Sequence, residues 1–287
     1  MFSIYLQSVY DSANLINMLF NSKKFEWIRY TAGTRTPPDF AYEAPDSSTI
    51  CQKPDLRDLG VRMSSDLTFN LQVEKVIDTS SQMVGWGLQT FRSRGSHLMM
   101  VLIKSLVQPH LDYCSQLWSP SSQGQINKLE GVQKSLVNRI WDKVLGNMNY
   151  WEKLKYLRLY SQERRRERYQ IIFIWKISQG LVSGYQIPFS QNSRTGRWAV
   201  PAQLPNQNVP SSVKVAKECS LRVRGCQLFN LLPAVLRSAD HGDTLMFKNN
   251  LDHYLSCVPD QPTTNGLQRA AQSNSLLLQV PLMGGWE

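Results

Sequence analysis

The side chains best equipped to do chemistry in this chain are cations. Arg164-Arg165-Arg166-Glu167-Arg168 forms one short run, and Lys128, Lys134, Arg139 and Lys143 precede it. Residues 128–176 hold 12 Lys and Arg against 5 Asp and Glu, whereas residues 1–127 hold 11 of each, so the formal charge of +10 is local. Guanidinium and ammonium groups at this density suit phosphate contacts, because each phosphate neutralised releases condensed counterions. The same composition fits an ordinary solvated helix face, and charge alone leaves both readings open.

Other chemistries find little support. His97, His110, His241 and His253 have no carboxylate or thiolate at a metal-ligand spacing, and Cys219 and Cys226 lie seven apart with no compact knuckle around them. No GxSxG, Walker A, GxGxxG or HExxH is present, so hydrolase, P-loop and dinucleotide-binding classes are unsupported. Trp118, Trp141 and Trp151 have the faces to stack on bases, yet at helical spacing beside leucines they read as core. The five cysteines (Cys51, Cys114, Cys219, Cys226 and Cys257) are odd in number and scattered, which predicts reduced, partly buried thiols. No catalytic residue, metal ligand, cofactor or small-molecule substrate is expected.

Positioning the cations requires helices. A stripe of Leu6, Val9, Ala13, Ile16 and Phe20 predicts a helix over residues 5–20. Extended segments are expected at 25–30 and near 59–63, with turn-rich sequence between them (Thr36-Pro37-Pro38-Asp39, Ala44-Pro45-Asp46-Ser47). From about 69 to 178 helices dominate, and Pro109 should end the second of them just beyond. Ser122 is placed to cap a helix carrying Ile126, Leu129, Val132, Leu136, Val137, Ile140 and Trp141 on one face, with Lys128 and Arg139 opposite. The arginine run leads into Tyr169-Gln170-Ile171-Ile172-Phe173-Ile174-Trp175, apolar nearly all round and therefore buried.

The predicted fold class is α+β and mostly α-helical. A small αββ unit over 1–66 precedes a helical region over 67–178, a Ser/Gln/Asn/Pro-rich linker at 179–215, a helical segment at 216–257, and a tail at 258–287 disordered apart from Leu276-Leu277-Leu278-Gln279-Val280. The first residues carry no basic n-region and meet Asp11 early, and no uncharged apolar run reaches the ~18 residues of a membrane span. The expected localisation is intracellular, cytoplasmic and/or nuclear, without secretion and without a membrane partner.

Four stretches, in order, resemble jockey-like non-LTR (LINE-type) retrotransposon reverse transcriptases downstream of their catalytic motif. Phe20-Asn21-Ser22-Lys23-Lys24-Phe25-Glu26 is similar to the family's F-N-x-x-K-x-E pattern, and Arg57-Asp58-Leu59-Gly60-Val61-Arg62-Met63-Ser64-Ser65-Asp66-Leu67 to its D-L-G-V strand-turn near the primer grip. Most specific is Leu106-Val107-Gln108-Pro109-His110-Leu111-Asp112-Tyr113-Cys114-Ser115-Gln116-Leu117-Trp118-Ser119-Pro120, continuing into Ile126-Asn127-Lys128-Leu129-Glu130. Leu221 to Pro233, with Phe247-Lys248-Asn249-Asn250-Leu251, resembles the family's R-G-x-x-x-W-N-x-L-P and F-K-x-x-L ending.

The resemblance spans roughly residues 5–256 and implies a palm remnant (1–66), a helical thumb (67–178) and a C-terminal helical segment. It implies that Lys24 matches a lysine near the incoming nucleotide, and that Lys128, Lys134, Arg139, Lys143, Arg164, Arg165, Arg166 and Arg168 track RNA or an RNA–DNA duplex. The complete family enzyme polymerises with two magnesium ions held by paired carboxylates; the Y/F-A-D-D motif that supplies them has no match in this sequence. The expectation is therefore a fragment of an RNA-directed DNA polymerase that is inactive alone and needs no magnesium. The alternative is a non-catalytic helical protein-interaction module, or a relic open reading frame with no nucleic-acid role.

Overall fold

A computed structural model describes residues 2–18, 20–21, 24–30, 40–45, 47–120, 122–183, 197, 215, 217–238, 243–262 and 273–282. The fold is α+β and mostly helical, as expected, and divides into two compact units: Met1–Gln72 with Pro205–Ala216, and Val73–Leu204 with Lys217–Glu287. Most of the linker expected at 179–215 and the turn at Thr36–Asp39 lie outside the described residues.

In the first unit, helix α1 (Phe2–Leu15) stops earlier than its apolar stripe. Asn17 adopts φ 55°, and the N–H groups of Met18 and Asn17 reach back to the carbonyls of Ala13 and Asn14. That is a Schellman stop, which lets Phe20 fold over to meet Tyr10 and Phe25. Five short strands follow where two extended segments were expected: β1 (Glu26–Ile28), β2 (Tyr42–Glu43), β3 (Thr49–Lys53), β4 (Asp55–Asp58) and β5 (Val61–Ser64). β3 lies between β1, to which it is parallel (Glu26 opposite Cys51), and β2, to which it is antiparallel (Tyr42 opposite Ile50). β4 and β5 form a hairpin. Its two-residue turn is Leu59-Gly60, both at positive φ (44° and 90°), as a type I′ turn demands. The D-L-G-V stretch is thus strand, turn, strand rather than one extended segment.

The second unit carries α2 (Asn70–Thr90, from Val73 onward), α3 (Ser96–Leu102), a π turn (Ile103–Val107) and α4 (Gln108–Asp112). Pro109 does not end the helical run; it sits in the first turn of α4, where its missing N–H is tolerated directly after the widened π turn. α5 (Gln123–Val137) is capped by Ser122, whose hydroxyl accepts from the Gln125 N–H at 3.3 Å. α6 (Tyr150–Tyr156) opens on a capping box between Asn149 and Glu152. α7 (Gln162–Ser178) is followed by a second π turn (Leu221–Gly225), α8 (Cys226–Asn230), α9 (Ala234–Ser238), α10 (Thr244–Cys257) and α11 (Leu276–Leu282).

α7 is the axis of this unit. Its C-terminal half buries Ile171, Ile172, Ile174 and Trp175 against Leu228 and Phe229 of α8, Phe247 and Leu251 of α10, and Leu276 and Val280 of α11. Trp175 stacks on Phe247 with centroids 4.6 Å apart and planes 6° from parallel. Residues 273–275, within the tail expected to be disordered, are buried, and α11, which covers the stretch excepted from that expectation, packs on α8.

α7 and the π turn approach so closely that a Cβ on Gly225 would stand 2.9 Å from Ile174 Cγ1. In an open helix Gly→Ala is stabilising by up to about 1 kcal/mol; at Gly225 the overlap reverses the sign, and Gly225→Ala is expected to destabilise by about 1–3 kcal/mol. Gly131, with nothing within 4 Å of its Cβ position in α5, supplies the control and should stabilise on the same change. Chemical denaturation of the two variants measures the contrast, and a stabilised Gly225→Ala protein would refute the close contact.

Candidate nucleic-acid interface

Ser161 starts α7 by accepting the Arg164 N–H at its hydroxyl, and Asp260 holds Ser161 through both its N–H (2.7 Å) and its hydroxyl (2.6 Å). The first two turns that follow are charged, and they are buried. Arg164 is 0% exposed, and its Nη2 donates to the carbonyls of Pro259 and Asn274, each at 3.0 Å. Arg166 donates to the Leu111 carbonyl at 3.3 Å and lies over the Trp118 ring, 4.5 Å from its centroid. Burial pulls its guanidinium down to about 10, so it remains a cation at neutral pH.

The other two arginines are ion-paired. Arg165 Nε reaches both oxygens of Asp112 at 3.0 and 3.1 Å, and the Tyr169 hydroxyl donates to the same carboxylate at 2.9 Å. Arg168 forks onto Asp252 through Nε and Nη2, at 2.5 and 2.7 Å, with the Tyr160 hydroxyl adding a third donor at 3.1 Å.

The expected duplex-facing run is therefore turned to the protein interior. Arg164 and Arg168 share a helical stripe with Ile171 and Trp175, while Arg166 and Gln170 share one with Ile174, and both stripes are largely buried along α7. Two carboxylates on the same helix balance the cations. Glu163 accepts from the Ser273 hydroxyl (2.8 Å) and the Asn274 N–H (2.7 Å). Glu167 accepts from the Ser275 hydroxyl (2.5 Å), the Leu276 N–H (2.8 Å) and Arg224 (3.0 Å). Burial raises the Glu163 carboxyl, and the neighbouring Glu167 adds to the rise.

The remaining candidates lie outside. Lys24 is exposed in the first unit, and Lys128, Lys134, Arg139 and Lys143 are exposed on α5 and the chain just after it. Lys134 Nζ rests over the Tyr150 ring at 5.5 Å, and Arg139 donates to the Ser135 carbonyl at 2.9 Å. The last turn of α6 adds two cations that the basic run did not single out: exposed Lys155, and Lys153, whose Nζ donates to Asn138 at 3.4 Å and so sits beside the end of α5. Trp141, expected in the core, is 79% exposed between Arg139 and Lys143, whereas Trp118 is fully buried with its indole N–H on the Tyr113 carbonyl. The acidic neighbours are engaged locally: Asp142 accepts the Val144 N–H at 2.9 Å and Glu152 the Asn149 N–H at 2.7 Å.

Beside Tyr150 opens a cleft of about 250 Å³ lined by Glu130, Lys134, Trp151, Glu163 and Asn274 among others. Glu130 joins three helices, accepting from the Tyr150 hydroxyl and from the Gln162 N–H at 2.7 Å. Burial pushes its carboxyl up to about 7, Asp260 and Glu163 push the same way, and the two hydrogen bonds oppose them. Among the described residues no three His, Cys, Asp or Glu side chains gather as a metal site, and no helix is long and apolar enough to cross a membrane. His241 lies outside them.

Comparison with known proteins finds no matching family model, no matching curated protein and no matching solved structure.

Arg164→Met should cost about 1–3 kcal/mol in denaturant unfolding, because it leaves the buried Pro259 and Asn274 carbonyls without their donor, whereas Arg139→Ala should stay within about 0.5 kcal/mol. Equal effects would contradict the inside–outside division. Glu130 gives a pH signature. Between its ordinary value of 4.5 and about 7 the folded state keeps a proton that the unfolded chain has lost, so stability falls as pH rises through this window, by up to about 3 kcal/mol. Thermal melts from pH 5 to 8 should show this decline in the wild type and a flatter profile in Glu130→Gln; parallel profiles would exclude Glu130 as the source.

Proposed function

We propose that this chain binds nucleic acid through its phosphates without acting on it, as a relative of the region that follows the polymerising carboxylates in jockey-like reverse transcriptases. One observation carries the reading: Arg139, Lys143 and Lys155 are exposed on α5, on α6 and on the chain between them, Lys153 bonds Asn138 at the end of α5, and Trp141, between Arg139 and Lys143 in sequence, is 79% exposed, while Asp142 and Glu152 each accept a backbone N–H. Cations follow a phosphate backbone and an open indole offers a face to an unpaired base, a combination that tolerates any sequence. Lys128 and Lys134, further back on α5, extend the same charge. The arginine run has a different part in this reading: it builds the helix core on which the outer cations stand.

A second reading, a helical protein-interaction module, is favoured by the commitment of Arg164, Arg165, Arg166 and Arg168 to internal partners, which removes the feature that spoke most against it.

Binding to an RNA–DNA duplex and to single-stranded RNA, measured from 50 to 300 mM salt, separates the two. Phosphate contact predicts affinity falling steeply with salt, and the combined Arg139→Ala, Lys143→Ala, Lys153→Ala and Lys155→Ala protein should lose about one unit of log–log slope per lost contact while keeping its thermal stability. Absence of wild-type binding at the lowest salt sinks the nucleic-acid reading and leaves the interaction module.

A further inference from the structure

The inner face of α7 meets the Ser119–Pro120 turn and Ile126 around a cavity of about 20 Å³, completed by Gln162, Glu163, Arg166, Glu167, Gln170 and Arg224. Three of these side chains bring a polar atom that nothing in the protein satisfies: Gln162 Oε1, Gln170 Oε1 and Arg166 Nε. Their residues are 2%, 1% and 5% exposed, so bulk solvent does not serve them. Their other polar atoms are committed: Gln162 Nε2 to Gln133 Oε1, Gln170 Nε2 to the Ser119 hydroxyl at 3.4 Å, and Arg166 Nη2 to the Leu111 carbonyl. Neither amide is therefore free to turn its nitrogen inward without breaking a bond it already makes.

The unmet groups define the chemistry of what fits. Two are acceptors and one is a donor, so the occupant must donate twice and accept once. The charges around the cavity, two carboxylates and two guanidiniums, cancel, which removes the attraction that would draw in an ion. An anion would face two amide oxygens, and a metal cation would face the Arg166 N–H. The volume holds one water and no larger molecule, given that a single buried water needs about 10–15 Å³ by the same measure and makes about three hydrogen bonds. Each buried polar atom left unmatched costs about 1–3 kcal/mol, so an occupant that satisfies three of them is strongly held.

We infer that this cavity is a binding site for one structural water, which donates to Gln162 Oε1 and Gln170 Oε1 and accepts from Arg166 Nε–H. The site rests on the packing of α7 alone and stands or falls independently of any nucleic-acid role. The water is a fixed part of the interior: it ties two turns of α7 together where side chains by themselves leave their polarity unmatched.

Water–protein NOE and ROE spectra of labelled full-length protein test this directly. The Arg166 Nε–H should show a cross-peak to water with the sign of a molecule resident for longer than nanoseconds, and Gln170→Met, which removes one acceptor at similar size, should lose that peak. An assigned Arg166 Nε–H without such a cross-peak in the wild type overturns the proposal whatever the variant does. Crystals grown in bromide and in rubidium give a second reading: a lone oxygen-sized peak within hydrogen-bonding distance of all three atoms supports water, while anomalous scattering at the site identifies an ion and overturns it.

Discussion

Burying the charged beginning of α7 is the constraint around which the second unit is organised. A guanidinium or carboxylate removed from water is costly unless hydrogen-bonding partners stand close by. Arg164, Arg166, Glu163 and Glu167 therefore recruit partners from far along the chain: carbonyls at Leu111, Pro259 and Asn274, N–H groups at Asn274 and Leu276, and the Arg224 side chain. Asp112, Asp252 and Asp260 meet the same need at the rim. The apolar half of the helix supplies most of the driving force, through Ile171, Ile174 and Trp175, and the polar half dictates register, since each of its groups accepts only a narrow set of positions.

This division sorts the chain's cations into two populations that composition treats as one. The arginines of α7 are structural, each hydrogen-bonded to groups inside the protein. Arg139, Lys143 and Lys155 are exposed, and the nearby acidic residues Asp142 and Glu152 each accept a local backbone N–H. Whatever binds the basic stretch meets the second population, so the functional weight of a charge here depends on its helical phase rather than on how densely charges follow one another.

Much of the framework was legible in the sequence because it rests on local rules. The helical periodicity of residues 126–140 and 169–175, the Ser122 cap and the α+β class all follow from spacing and side-chain chemistry within one turn or one strand. What escaped depends on contacts across distance. The inward turn of the arginine run was not legible because the partners that make it possible, Asp112, Asp252 and the carbonyls of Pro259 and Asn274, lie far from it along the chain. Trp141 reads as core by spacing, yet α5 ends at Val137 and the indole leaves the stripe. β2 and β3 are too short and too polar to announce themselves, and their pairing is specified by β1 and by the Trp27–Tyr42 edge contact. Ser273–Leu276 look featureless because their value lies in backbone N–H groups, which every sequence possesses.

The bonds from Glu163 and Glu167 to residues 273–276 bear on how the protein comes to exist. They join groups 108 to 111 residues apart. A ribosome adding about 5–20 residues per second takes roughly 5–20 s to cover that interval. Throughout it, α7 and Arg224 are already made while the four donors from Ser273 to Leu276 do not yet exist. The buried start of α7 is therefore completed only after translation has passed residue 276, although the apolar half of the same helix meets α8 and α10 from chain made earlier.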